Sequence, residues 1–182
     1  EKISKVIVAC SSNSLDKQII KILKRLGVEY HIGSEKNVLA RFYMAAKKYK
    51  FKNIVRITAD CPLIDPKIVD MVIKNFFEKK VDYASNTNPP TYPDGLDVEV
   101  FKFGLLKVAY KKAKSQYDKE HVTPFMVRNN KIKKFNLINK KDLSSLRLTL
   151  DEPNDLIVIK NIFKNFKNNL FFDLKDIMNF YK

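Results

Sequence analysis

Two aspartates set far apart in the chain each close an apolar stretch, with a proline just behind. Asp60 follows Asn53-Ile54-Val55-Arg56-Ile57-Thr58-Ala59 and precedes Cys61-Pro62, while Asp151 follows Leu146-Arg147-Leu148-Thr149-Leu150 and precedes Glu152-Pro153. In open α/β sheets, ligands bind in the crevice outside the carboxyl ends of the strands. Two carboxylates at such ends can hold a divalent cation between them. Their hard oxygens suit Mg²⁺, which binds one or two carboxylates together with substrate phosphates. The pair points to chemistry on a nucleoside triphosphate. Each residue also has a plain structural reading. Asp60 can close an Asx turn, and Asp151, ahead of Glu152-Pro153, resembles a helix N-cap with proline in the first turn. A helix start beside the site would itself favour phosphate oxygens.

Further polar residues recur in short clusters. Asp97 and Glu99 alternate with Leu96, Val98 and Val100, so period-two spacing places both carboxylates on one strand face. That face is either a paired surface or the wall of a polar pocket. Glu120 and His121 stand beside Thr123 in Glu120-His121-Val122-Thr123-Pro124-Phe125, a polar group suited to substrate contact or to a structural role; His31 lacks such company. Arg56 and Arg147 lie inside apolar stretches, where a guanidinium normally pairs with carboxylate or phosphate. No Ser-His-Asp set, zinc-ligand spacing or glycine-rich phosphate loop is present in the sequence.

Short apolar runs alternate with helical periodicity, which predicts α/β layering with mainly parallel strands. Strands are expected at 5–9, 29–32, 53–59, 82–86, 96–101, 133–138 and 146–150. Helices are expected at 15–26, 37–49, 66–79, 103–114, 119–128, 154–166 and 174–181. In the first helix Ile19, Ile20, Ile22, Leu23 and Leu26 are expected to face inward, with Gly27 as the stop. The longest irregular stretch, 87–95, holds three prolines and a glycine, and loops of this kind often carry function.

At 182 residues the chain is expected to form a single domain with a real core. Its net charge of +15 invites a nucleic-acid reading, but the positive charge is almost all lysine, with arginine only at positions 25, 41, 56, 128 and 147. Lysines spread over every expected helix, which describes a solvated surface able to steer anionic nucleotides. No nucleic-acid partner is expected. The two cysteines, Cys10 and Cys61, have no Cys-x-x-Cys spacing and read as reduced thiols of a cytoplasmic protein. No apolar run reaches the ~18 residues that span a bilayer, so no membrane partner is expected.

Six segments in order carry a family resemblance: Ile32–Phe42, Val55–Pro66, Asp82–Thr87, Tyr92–Phe101, Glu120–Phe125 and Leu146–Leu156. Together they resemble the cytidylyltransferase family that includes CMP-sialic acid and CMP-Kdo synthetases, and within it the branch of spore coat polysaccharide biosynthesis protein F. The resemblance implies a three-layer α/β/α, Rossmann-like nucleotidyltransferase fold. It implies attack of a sugar or sugar-acid acceptor on the α-phosphorus of CTP with loss of pyrophosphate. Asp60 and Asp151 would be the catalytic, Mg²⁺-holding pair. Asp97, Glu99, Glu120, His121, Arg147 and Tyr92 would line the acceptor or phosphate side, and Ser11 and Arg56 would contact the nucleotide. The family's opening strand and nucleotide loop, of the type Ala-Arg-x-Gly-Ser-x-Arg-x-Pro-x-Lys, have no counterpart here, so the chain is expected to be part of a longer protein. A glycosyltransferase of related fold and a noncatalytic binding domain are the alternatives; the former typically uses Asp-x-Asp where this chain has Asp60-Cys61-Pro62. A homodimer built on the apolar face of Leu96–Phe101 is a further expectation.

Overall fold

The computed structural model describes residues 3–167, 169 and 171–180. Its elements in chain order are β1 (Val8–Ser11), α1 (Lys17–Arg25), β2 (Tyr30–Gly33), α2 (Val38–Lys48), β3 (Asn53–Arg56), α3 (Pro66–Glu78), β4 (Tyr83–Ser85) and β5 (Glu99–Lys102). There follow α4 (Phe103–Lys112), α5 (Gln116–His121), α6 (Pro124–Val127), β6 (Lys134–Asn136), α7 (Pro153–Phe166) and α8 (Leu174–Phe180). The strands form one sheet of β1 and β2 and another in the order β3-β5-β4-β6. The β1–β2 and β4–β6 pairs are parallel, as expected of strands joined through helices. The last expected helix is present to Phe180, and Tyr181 lies outside the described residues.

The chain gathers into two compact units, one of residues up to 54 with 101–133, the other of 55–100 with 134 onward. In the first, β1 and β2 run in register with Cys10 opposite Ile32. Asn37 caps α2 by accepting from the Ala40 N–H at 2.9 Å, and α2 buries Leu39, Tyr43, Ala45 and Ala46. Tyr43 stacks on Phe103 and Tyr110.

Two expectations fail here. Of the apolar residues of α1 only Leu23 is buried; Ile19, Ile22 and Leu26 face outward, because a two-stranded layer is too narrow to cover the whole row. The single helix expected over 119–128 is two, α5 and α6. Pro124 has no N–H to continue the first helix, and Val122 turns to a φ of 71° between them.

The second unit holds a continuous core. Leu63, Ile68, Val72, Ile73 and Phe76 from α3 and its approach meet Leu96, Val98 and Val100, and Ile159, Ile162 and Ile177 close the cluster from α7 and α8. Asp65 caps α3 ahead of Pro66, accepting from Lys67 N–H at 2.7 Å, and its second oxygen accepts from Leu174 N–H at 2.9 Å. Leu96, Val98, Val100 and Phe101 are each 1% exposed or less. The apolar face expected to support a dimer is therefore spent on the interior of the chain. The stretch 146–150, expected as a strand, is extended but forms no ladder beyond a single bridge between Asp94 and Arg147. Its polar main-chain groups bind loops instead.

Candidate functional site

The stretch 146–151 acts as a brace within the second unit. Leu150 N–H donates to the Asp60 carbonyl at 2.8 Å, Leu148 N–H donates to the Asp94 carbonyl at 2.7 Å, and Asp94 N–H donates to the Leu146 carbonyl at 2.9 Å. Two loops carrying acidic residues are thus tied to one segment. Gly95 makes this possible: its φ is +98°, and a Cβ there would lie 2.6–2.7 Å from the Leu148 carbonyl and the Thr149 nitrogen. The two aspartates that are 91 positions apart in the sequence are brought to adjoining main chain by the Asp60–Leu150 bond.

Around the brace stand Asp60, Asp94, Asp97 and Asp151. Asp97 is half-buried, and burial, together with the neighbouring charges of Asp94, Glu99 and Asp60, pushes its carboxyl up to about 6 against the opposing pull of Arg56. Cys61 is buried beside Asp60; burial pushes its thiol up to about 11, so it stays protonated and unreactive at neutral pH.

The remaining candidates fall into distinct surroundings. Glu99 is buried, and both its oxygens are taken: Arg56 Nη1 donates to one at 2.5 Å and the Tyr83 hydroxyl to the other at 2.6 Å. Burial, followed by the charge of Glu99, raises the Tyr83 hydroxyl far above its ordinary range. Arg56 and Glu99 therefore meet each other inside the protein, and the alternation that placed Glu99 with Asp97 on one face also places it over Arg56. Tyr92 is 7% exposed and belongs to the hydrophobic core. Arg147 is exposed and engages three carboxylates: Nη2 donates to Asp151 at 2.8 Å and to Asp155 at 3.0 Å, and Nη1 lies 3.6 Å from Asp94.

Ser11, Glu120 and His121 belong to the first unit. Ser11 is buried at the end of β1, where its N–H donates to Asp16 at 2.8 Å and its hydroxyl accepts from Asn13 N–H at 3.0 Å. Glu120 and His121 are exposed on α5, and the His121 ring packs on Tyr117 with centroids 4.5 Å apart. The same unit has an open cleft of about 640 Å³ between β2 and α2, lined by His31, Gly33, Ser34, Arg41, Met44 and Lys48 among others.

Two residues of the acidic site, Asp94 and Asp155, are not among the candidates from sequence. The signals were there: Asp94 precedes the loop glycine, and Asp155 stands three after Glu152 in a reciprocal capping box.

The carboxylate oxygens around the brace are the hard donors that magnesium takes, and Arg147 offsets part of their charge. Among the described residues, no group of three or more His, Cys, Asp and Glu side chains is arranged to enclose a metal by itself. A cation here would share its ligands with substrate phosphates, as magnesium commonly does.

The fold is that of a nucleotidyltransferase-like α/β protein. A cytidylyltransferase from Leptospira borgpetersenii superposes with a TM-score of 0.91 at 31% identity, covering 96% of this chain and 74% of that one. Molybdopterin-guanine dinucleotide biosynthesis protein A from Archaeoglobus fulgidus superposes at 0.57 with 18% identity over 82% of this chain and 75% of that one, a likeness of fold alone. The sequence profile of the cytidylyltransferase family matches residues 1–171, and the chain belongs to that family. An uncharacterized protein of Methanocaldococcus jannaschii is 37% identical over 183 residues, covering 99% of this chain and 74% of that protein. Spore coat polysaccharide biosynthesis protein SpsF of Bacillus subtilis is 26% identical over 163 residues, covering 87% of this chain and 67% of that protein. No helix among the described residues is long and apolar enough to cross a membrane.

Proposed function

We propose that this protein transfers a cytidylyl group from CTP to an oxygen of a sugar or sugar-acid acceptor, releasing pyrophosphate, as a step in surface polysaccharide or glycoconjugate synthesis. The observation that supports this reading is the main-chain bond from Leu150 to Asp60, which ties the Asp60 loop to the segment that ends in Asp151, in a chain of the cytidylyltransferase family. Asp60 and Asp151 would hold Mg²⁺, which when bound neutralises the triphosphate and the charge that develops on the leaving pyrophosphate. The protein's own part is positioning and charge placement. The Asp60–Leu150 bond sets the spacing of the two aspartates, and Arg147 restrains Asp151. Asp97, half-buried and pushed up to about 6, lies beside Asp60 and is placed to take up a proton from an acceptor hydroxyl. Buried Glu99, paired with Arg56, anchors the start of β5 two residues after Asp97.

Calorimetric titration of the full-length protein with CTP in the presence of Mg²⁺ tests this. Metal-dependent CTP binding that disappears in Asp60→Ala supports the assignment. Preference for a UDP- or GDP-sugar over CTP would replace it with glycosyl transfer, and binding of no nucleotide at all would end it.

A further inference from the structure

Arg147 faces three carboxylates at the brace, and its bonding is distributed. Nη2 donates to Asp151 Oδ2 at 2.8 Å and Asp155 Oδ2 at 3.0 Å, Nε donates to Asp155 Oδ1 at 3.2 Å, and Nη1 stands 3.6 Å from Asp94 Oδ2. Asp155 in turn accepts from the N–H groups of Asp151 and Glu152 at 2.9 and 2.8 Å. One carboxylate therefore holds both the main chain of Asp151 and the guanidinium that holds its side chain. Nη2 and Nε of the guanidinium are taken by protein oxygens, and a substrate phosphate binding through them would have to displace those oxygens.

We infer that Arg147 is a positioning residue: it clamps Asp151 through one carboxylate oxygen, leaving the other for a cation, and does not itself grip the substrate. This rests on the proposed metal role of Asp151. A carboxylate shared between a guanidinium and a cation is held in one orientation, so the cation site is set before metal arrives. When metal leaves, Arg147 still offsets part of the charge of Asp94, Asp151 and Asp155. Lysine at this position would keep the charge but lose the planar fork, and one ammonium cannot span three carboxylates.

Mn²⁺ serves as a paramagnetic probe for the magnesium site, titrated into the full-length protein with CTP present and followed by electron paramagnetic resonance. Partners that orient a metal-binding carboxylate typically change metal affinity by roughly 10–100-fold. Arg147→Met should weaken Mn²⁺ by that factor while CTP affinity at saturating Mn²⁺ stays unchanged, and Arg147→Lys should fall between Met and wild type. Unchanged Mn²⁺ affinity in Arg147→Met overturns the inference, as does CTP affinity that falls equally at saturating metal, which would place Arg147 on the nucleotide. If Arg147→Met fails to fold, by circular-dichroism melting, the Lys variant decides by the same two readouts. Asp151→Asn separates the layers. If it abolishes Mn²⁺ binding while the Arg147 variants bind normally, positioning alone is refuted. If Asp151→Asn binds Mn²⁺ normally, the metal reading and the inference fall together.

Discussion

Gly95→Ala is the sharpest probe of the brace. The added Cβ would sit 2.6 Å from the Leu148 carbonyl carbon, 2.7 Å from its oxygen and 2.7 Å from the Thr149 nitrogen, all backbone atoms that cannot swing aside. The residue's φ of +98° is foreign to L side chains, and left-handed backbone costs a non-glycine residue about 1–2 kcal/mol. To relieve the clash, the stretch 146–149 must move away from Asp94. That breaks the bonds to Leu146 and Leu148, each worth about 1 kcal/mol net. The sum is roughly 3–4 kcal/mol. For a chain of this size each kcal/mol lowers Tm by about 2–4 °C, so the variant should melt roughly 6–16 °C below wild type. Differential scanning calorimetry measures this directly. Because the same movement shifts Arg147 and Asp151, Mn²⁺ affinity should fall as well. A melt within about 2 °C of wild type would show that the 94–95 loop is not pressed on the brace and refute the reasoning.

Three further substitutions probe the second unit. Glu99→Gln removes the carboxylate charge that faces Arg56 and should destabilise by about 3–5 kcal/mol, read as a lower urea midpoint with unchanged m-value; a midpoint equal to wild type would refute the buried pair. Asn86 is 1% exposed and mimics a strand neighbour, donating to the Leu96 carbonyl and accepting from Val98 N–H, both at 2.8 Å. Asn86→Ala should cost about 2–4 kcal/mol by leaving both groups unpaired, and amide hydrogen exchange at Val98 should speed up. Asp97 titrates in the fold near 6, above the unfolded value of about 3.9, so the folded state holds its proton more tightly. Its stabilising effect is present below about pH 4 and is lost as pH rises through 6. Asp97→Asn should therefore raise stability by about 2–3 kcal/mol at pH 7 and have little effect at pH 4. Equal effects at both pH values would reject the raised titration.

Much of this was legible locally because it depends on near neighbours in the chain. Pro66 and Pro153 announced helix starts that the fold places at those positions, with Asp65 capping the first and Glu152, one residue past the Asp151 expected as cap, capping the second. Arg56, an arginine in an apolar strand, called for a carboxylate or a phosphate, and the structure gives it Glu99, which period-two alternation kept apart from Leu96, Val98 and Val100. What alternation cannot say is which face receives a partner. Glu99 and Asp97 share one periodicity, yet Glu99 is consumed by Arg56 and Tyr83 while Asp97 stays near Asp60 and Asp94.

From sequence came most of the strands and helices and the two aspartates at the ends of apolar stretches, because propensity, capping and periodicity are local; the strand at 146–150 and the unbroken helix over 119–128 are not formed. Tertiary structure alone decided that 146–150 would spend its hydrogen bonds on two loops instead of a ladder, that Leu96–Phe101 would be core, and that Arg147 would face three carboxylates. Each of those outcomes depends on which distant groups satisfy a buried polar or apolar surface, and that is settled only when the whole chain has packed.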